Sequence, residues 1–77
     1  MNYDNVSDKL LDILKVVMNS EEITLDTEMD SLISTTEEIL DICINIDSIF
    51  FINCNYKVIE DSFTVKEILE HILILLD

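Results

Sequence analysis

Seventy-seven residues with seventeen acidic and four basic side chains carry a formal net charge of −13, and the chain contains neither glycine nor proline. That length allows a single domain, residues 1–77, and so negative a surface repels nucleic acid phosphates and anionic membranes while drawing in basic partners. A hydrophobic content of 49% separates the chain from disordered acidic tails, which lack the apolar surface that offsets ordering entropy.

Without glycine or proline for tight hairpins, helices joined by polar loops are expected, giving an all-α fold. From Tyr3 to about Met18, Tyr3, Val6, Leu10, Ile13, Leu14 and Val17 follow the three-and-four spacing of one helical face. Between Asn19 and Thr35 the apolar residues thin to Ile23, Leu25, Met29, Leu32 and Ile33, which reads as a long loop with a few inward anchors. Structureless loops of that length are uncommon in small domains and are often functional.

From Thr36 to Ile52 a second helix is expected. Ile42, Ile44 and Ile46 alternate as a strand would, but Ile39, Ile42, Cys43, Ile46, Ile49 and Phe50 form one helical core stripe, and Thr35 with Glu38 supplies a capping box at its start. A narrower stripe of Leu40, Ile44 and Phe51, bordered by Glu37, Asp41 and Asp47, suits a partner or widens the core face. Tyr56 to Glu60 allows little more than one turn. In the last helix Thr64 and Glu67 form a second capping box, Phe63 and Ile68 sit where a hydrophobic staple would bracket it, and Val65, Ile68, Leu69, Ile72 and Leu76 make the buried face.

The chemistry-bearing residues are few. Cys43 and Cys54 fall far short of the disulfide density of a small secreted domain, so both read as reduced, core-packed thiols in a cytoplasmic protein. His71 reads as a surface residue. No nucleophile and base are paired in a recognisable setting, no cysteine and histidine spacing suggests zinc, and no glycine serves the turn of a calcium loop, so an enzyme or metal protein is not expected. No N-terminal leader is read, and the apolar run from Ile72 to Leu76 is too short to span a bilayer.

Asp26, Thr27, Glu28, Met29, Asp30, Ser31, Leu32, Ile33, Ser34, Thr35, Thr36 and Glu37 resemble, without a gap, the loop of the acyl carrier protein family, which runs from Asp-Thr to an attachment Asp-Ser-Leu. Phe50, Ile52, Cys54, Val58, Ile59, Phe63, Thr64 and Val65 are similar to that family's later segment, through its short third helix to the Thr-Val that opens the fourth. The resemblance spans nearly the whole chain and implies a four-helix bundle with a long loop between helices 1 and 2 and a short helix 3. It also implies covalent phosphopantetheine, whose thiol holds acyl or aminoacyl groups as thioesters in fatty acid, polyketide or peptide biosynthesis.

The departures fall at the attachment motif. Asp-Ser-Leu is here Thr35, Thr36 and Glu37, and the loop glycine is Ile33. Register makes Thr36 the attachment position; threonine is a poorer acceptor, because its extra methyl crowds the attacking oxygen. Asp30, Ser31 and Leu32 spell the motif five residues early, which makes Ser31 a second candidate, while Ser34 reads as a cap. The resemblance further implies a monomer whose Glu37, Glu38, Asp41, Ile44, Asp47 and Glu60 meet basic docking patches on a phosphopantetheinyl transferase and on synthases or ligases. Two alternatives stay open: a carrier fold that has lost its arm and serves as an acidic protein-binding or regulatory subunit, and an unrelated acidic helical module that occupies a basic groove.

Overall fold

A computed structural model describes residues 3–77 as five helical elements with no strand among them: α1 (Tyr3–Val17), α2 (Met29–Leu32), α3 (Thr36–Phe50), α4 (Tyr56–Asp61) and α5 (Val65–Leu76). The all-α expectation is met, and the strand reading of the alternating isoleucines is not. The expected structureless loop instead contains the one-turn α2. It begins at Met29, whose side chain is buried and whose backbone N–H donates to the Phe63 carbonyl at 2.8 Å, so tertiary anchoring sets that turn rather than any local period.

The core forms between α1 and α3, α1 and α5, α3 and α4, and α4 and α5. Val6, Leu10 and Leu14 of α1 meet Ile42 and Ile46 of α3 and Ile68, Leu69 and Ile72 of α5, all fully buried, and Ile59 adds the inner side of α4. Ile23 and Met29 seal the loop side as buried anchors, with Leu25, Leu32 and Ile33 packed against them at the edge. Tyr3 and Ile49, expected on core faces, are 45% and 44% exposed, and Leu76 is only partly buried. Tyr3 opens α1, and Ile49 lies at the margin of its stripe. His71 is partly buried rather than fully solvated.

A chain without glycine must end its helices by other means. α1 closes in a Schellman arrangement, with Asn19 left-handed at φ 52°, its N–H on the Val16 carbonyl and the Ser20 N–H on the Lys15 carbonyl. Asparagine is the residue that tolerates this backbone best after glycine. At α4, the Asn55 side chain accepts from the Lys57 N–H at 2.8 Å.

The second expected capping box does not form. Thr64 makes no side-chain cap at α5, and Glu67 instead accepts the Phe63 N–H. The long loop does the capping: Val65 donates to the Thr27 carbonyl at 3.0 Å and Lys66 to the Leu25 carbonyl at 2.9 Å, which satisfies orphan amides of the first turn. Phe63 is 57% exposed, so the expected staple with Ile68 is not a buried contact. Through these bonds the loop is tied to the start of α5, and its far end delivers the chain to α3.

Candidate functional site

The start of α3 is built by its own side chains. Thr35, extended at φ −136° and ψ 156°, caps the helix: its Oγ1 accepts the Glu38 N–H at 3.3 Å. Glu38 reaches back, its Oε1 accepting from the N–H of Ser34 and of Thr35, each at 3.0 Å, and from their hydroxyls at 2.9 and 3.2 Å. The expected capping box is therefore present, and Ser34 joins it as a donor rather than serving as the cap itself.

These donors, the Ser34 N–H and hydroxyl foremost and then Thr35, hold the Glu38 carboxyl below its ordinary value of 4.5. Because folding lowers this pKa, the cap's contribution is fully present above the ordinary glutamate range and is lost as pH falls through the lowered value. The amide signals of Ser34 and Thr35 in an NMR titration should therefore move with a midpoint below 4.5. A midpoint at or above that value would contradict the cap.

Thr36 follows as the first residue of α3, exposed, with its hydroxyl unengaged among the described residues, while its neighbour Thr35 is committed to the cap. Ser31, the alternative acceptor, is also exposed, in α2, and its hydroxyl donates to the Glu28 carbonyl at 2.7 Å. Of the two hydroxyls, that of Thr36 stands at the start of a four-turn helix, where unpaired amides and the positive end of the dipole favour a phosphate.

Along α3 from Thr36 runs an exposed apolar strip: Leu40 is 45% exposed, Ile44 65% and Phe51 91%. The narrower stripe is thus surface and not a widened core face. Glu37 and Asp41 are exposed beside it. Asp47, expected on the same acidic border, is partly buried, and its Oδ1 accepts the Cys54 N–H at 2.6 Å, which ties the segment between α3 and α4 to the helix. Glu38 is likewise spent on the cap. Glu60, on α4, accepts from the Tyr56 hydroxyl at 2.7 Å and pairs with Lys57 at 3.3 Å. Within the expected docking set, Glu37, Asp41 and Ile44 are exposed without side-chain bonds among the described residues, and Glu60 is exposed but engaged.

Phe51 ends α3 rather than continuing it to Ile52, and it does so left-handed at φ 56° and ψ 47°. A bulky residue pays about 1–2 kcal/mol for that backbone, and an exposed ring returns little of it. Phe51→Gly should raise stability by about 1 kcal/mol, since glycine adopts this conformation freely but loses more entropy on folding. Urea denaturation checks this, and an unchanged or lowered stability would mean that the ring packs to structural purpose.

Sequence reasoning missed the use of Asp47 and the role of loop carbonyls in capping α5. The first has a faint signal, an aspartate seven residues before a cysteine. Backbone carbonyls leave none. Among the described residues no group of three or more histidine, cysteine or acidic side chains is placed to hold a metal ion, and no helix is long and apolar enough to cross a membrane. Comparison with protein-family models, with curated proteins and with solved structures found no match for this chain.

Proposed function

We infer that this chain is an acyl-carrier-type protein, with α1, α3, α4 and α5 as the four helices of that bundle, α2 inside its long loop, and Thr36 as the attachment position for phosphopantetheine. The observation that carries the reading is Thr36 itself, an exposed hydroxyl at the first position of a long helix, directly after a loop and followed by an exposed apolar strip. The arm's phosphate fits this place. The early amides of α3 can donate to it, and the Glu38 carboxylate is already taken up by Ser34 and Thr35.

Once attached, the group supplies a thiol that holds an acyl or aminoacyl cargo as a thioester. The chain's own part is to present that arm and to dock. Leu40, Ile44 and Phe51 supply apolar contact, while Glu37 and Asp41, within a net charge of −13, steer toward basic patches on a phosphopantetheinyl transferase and on synthases or ligases. Docking of this kind is transient and weakens with salt.

A second reading is favoured by two particular residues. The β-methyl of Thr36 crowds the acceptor oxygen, and Glu37 adds charge beside the place of the phosphate. On that reading the arm is lost and the same α3 surface serves an acidic protein-binding or regulatory subunit.

Incubation of wild type, Thr36→Ser and Thr36→Ala with coenzyme A and a broad-specificity transferase separates the two. In the productive reaction the hydroxyl oxygen attacks the phosphorus that bears the pantetheine, the bond to the adenosine bisphosphate breaks, and the hydroxyl proton is lost. The carrier reading expects conversion of wild type, faster conversion of Thr36→Ser, and none of Thr36→Ala. An adduct on Ser31 in all three proteins would reassign the site, and conversion of Thr36→Ser alone would favour the armless subunit.

A further inference from the structure

The end of α5, from Ile72 to Leu76, is apolar on every side of the helix. Ile72 is fully buried, and Leu73 and Leu76 pack at the edge of the core, yet Ile74 is 72% exposed and Leu75 40%. By helical periodicity Ile74 stands on the side opposite the buried line of Val65, Ile68, Leu69 and Ile72, where a surface helix ordinarily carries polar residues. Helices that are apolar all round are normally covered all round. Beside Ile74 lies a shallow open cleft of about 480 Å³, lined by Leu73, Ile74, Leu76 and Asp77.

The charges around this patch select its occupant. Glu70 stands one turn before Ile74 on the same outward side, Glu67 a further turn back, and Asp77 at the helix end; all three are exposed. The Glu67 carboxylate is engaged with the Phe63 N–H, whereas Glu70 and Asp77 make no hydrogen bond or ion pair among the described residues. The one lysine of α5, Lys66, lies in the first turn, away from the patch. A second copy of the chain would set one net charge of −13 against another, and these acids against each other; an anionic membrane is repelled in the same way. An apolar side chain flanked by cations meets both the cleft and its rim.

We propose that the end of α5 is a docking surface for a basic amphipathic helix of a partner protein. Its leucine- or isoleucine-type side chains seat against Ile74 and in the cleft beside it, and its lysines or arginines meet Glu70 and Asp77. The surface is on a different helix from the strip of Leu40, Ile44 and Phe51, and it serves independently of whether Thr36 carries an arm.

To test this, the isotope-labelled full chain is titrated with a synthetic helical peptide that carries leucines on one face and lysines on the other, and backbone amide shifts are followed by NMR at two salt concentrations. The expected shifts centre on Leu73 to Asp77, with Glu67 and Glu70 at their edge, and the affinity falls as salt rises. Ile74→Ser should raise the Kd about tenfold, while Val16→Ser, at an exposed valine of α1, leaves it unchanged. Both variants should keep the wild-type Tm, since each alters an exposed side chain. A peptide with glutamates in place of the lysines should not bind. Absent binding, shifts centred on the α3 strip or spread evenly over the surface, equal affinity of Ile74→Ser, or equal affinity of the glutamate peptide would each overturn the proposal. So would sedimentation showing that the chain alone self-associates and that Ile74→Ser abolishes it, which would give the patch to a second copy.

Discussion

Ile42→Ala should cost about 2–5 kcal/mol, whereas Ile44→Ala, two residues along the same helix, should stay within about 0.5 kcal/mol. Ile42 is fully buried between α1 and α3, so truncation removes transfer free energy and leaves a cavity that helices on both sides cannot fill. Ile44 is 65% exposed and already faces water. In so small a domain total stability stands near the lower end of the 5–15 kcal/mol range, and the first substitution consumes much of it. Urea denaturation of the two variants checks the pair together. Equal losses would mean that the strip of Leu40, Ile44 and Phe51 belongs to the core after all, and the case for a partner-facing surface would fall with it.

Asp47→Ala should cost about 1–3 kcal/mol, because the Cys54 N–H then loses its acceptor in a partly buried setting. Asp47→Asn keeps an acceptor oxygen at the same place and should cost less. The effect should also be local: amide exchange at Cys54 accelerates in Asp47→Ala, while exchange in the middle of α1 changes only as far as global stability does. If Asp47 were a docking acid, removal would leave stability and exchange untouched and weaken partner binding alone. The contrast assigns to one residue a structural duty that its sequence neighbours Glu37 and Asp41 do not share.

What could be read from the residues followed the reach of local rules. The course of α1 and the start of α3, though not its end, came from apolar spacing, and the cap at Thr35 and Glu38 from a four-residue pattern, because both depend on groups within a turn of each other. The same pattern at Thr64 and Glu67 did not form a box: the Glu67 N–H goes to the Thr64 carbonyl at 3.2 Å and the Glu67 carboxylate to the Phe63 N–H, while the distant carbonyls of Thr27 and Leu25 take the neighbouring amides of Val65 and Lys66. α2 escaped notice for the same reason. Its anchor is the Phe63 carbonyl, which no property of Met29 announces.

The candidate site was legible in part. Register singled out Thr36, and the start of α3 does present it. On the acidic border the sequence shows the charge of each side chain but not the internal bonds that Glu38 and Asp47 make. Glu38 and Asp47 are partly buried and bonded, whereas Glu37 and Asp41 are exposed. Phe51 was expected on the strip, but nothing in the sequence shows that it would stand left-handed at the end of the helix.

Whether Thr36 carries the proposed arm is read from the intact mass of the protein recovered from the cells that make it, followed by fragmentation of the peptide that spans Ser31 to Asp41. The expected mass is higher by one phosphopantetheine, with or without an acyl group, and fragmentation should locate it on the Thr36 hydroxyl. A protein found only at its unmodified mass, in cells whose other carriers bear the arm, would contradict it and make the exposed face of α3 the surface of a binding subunit.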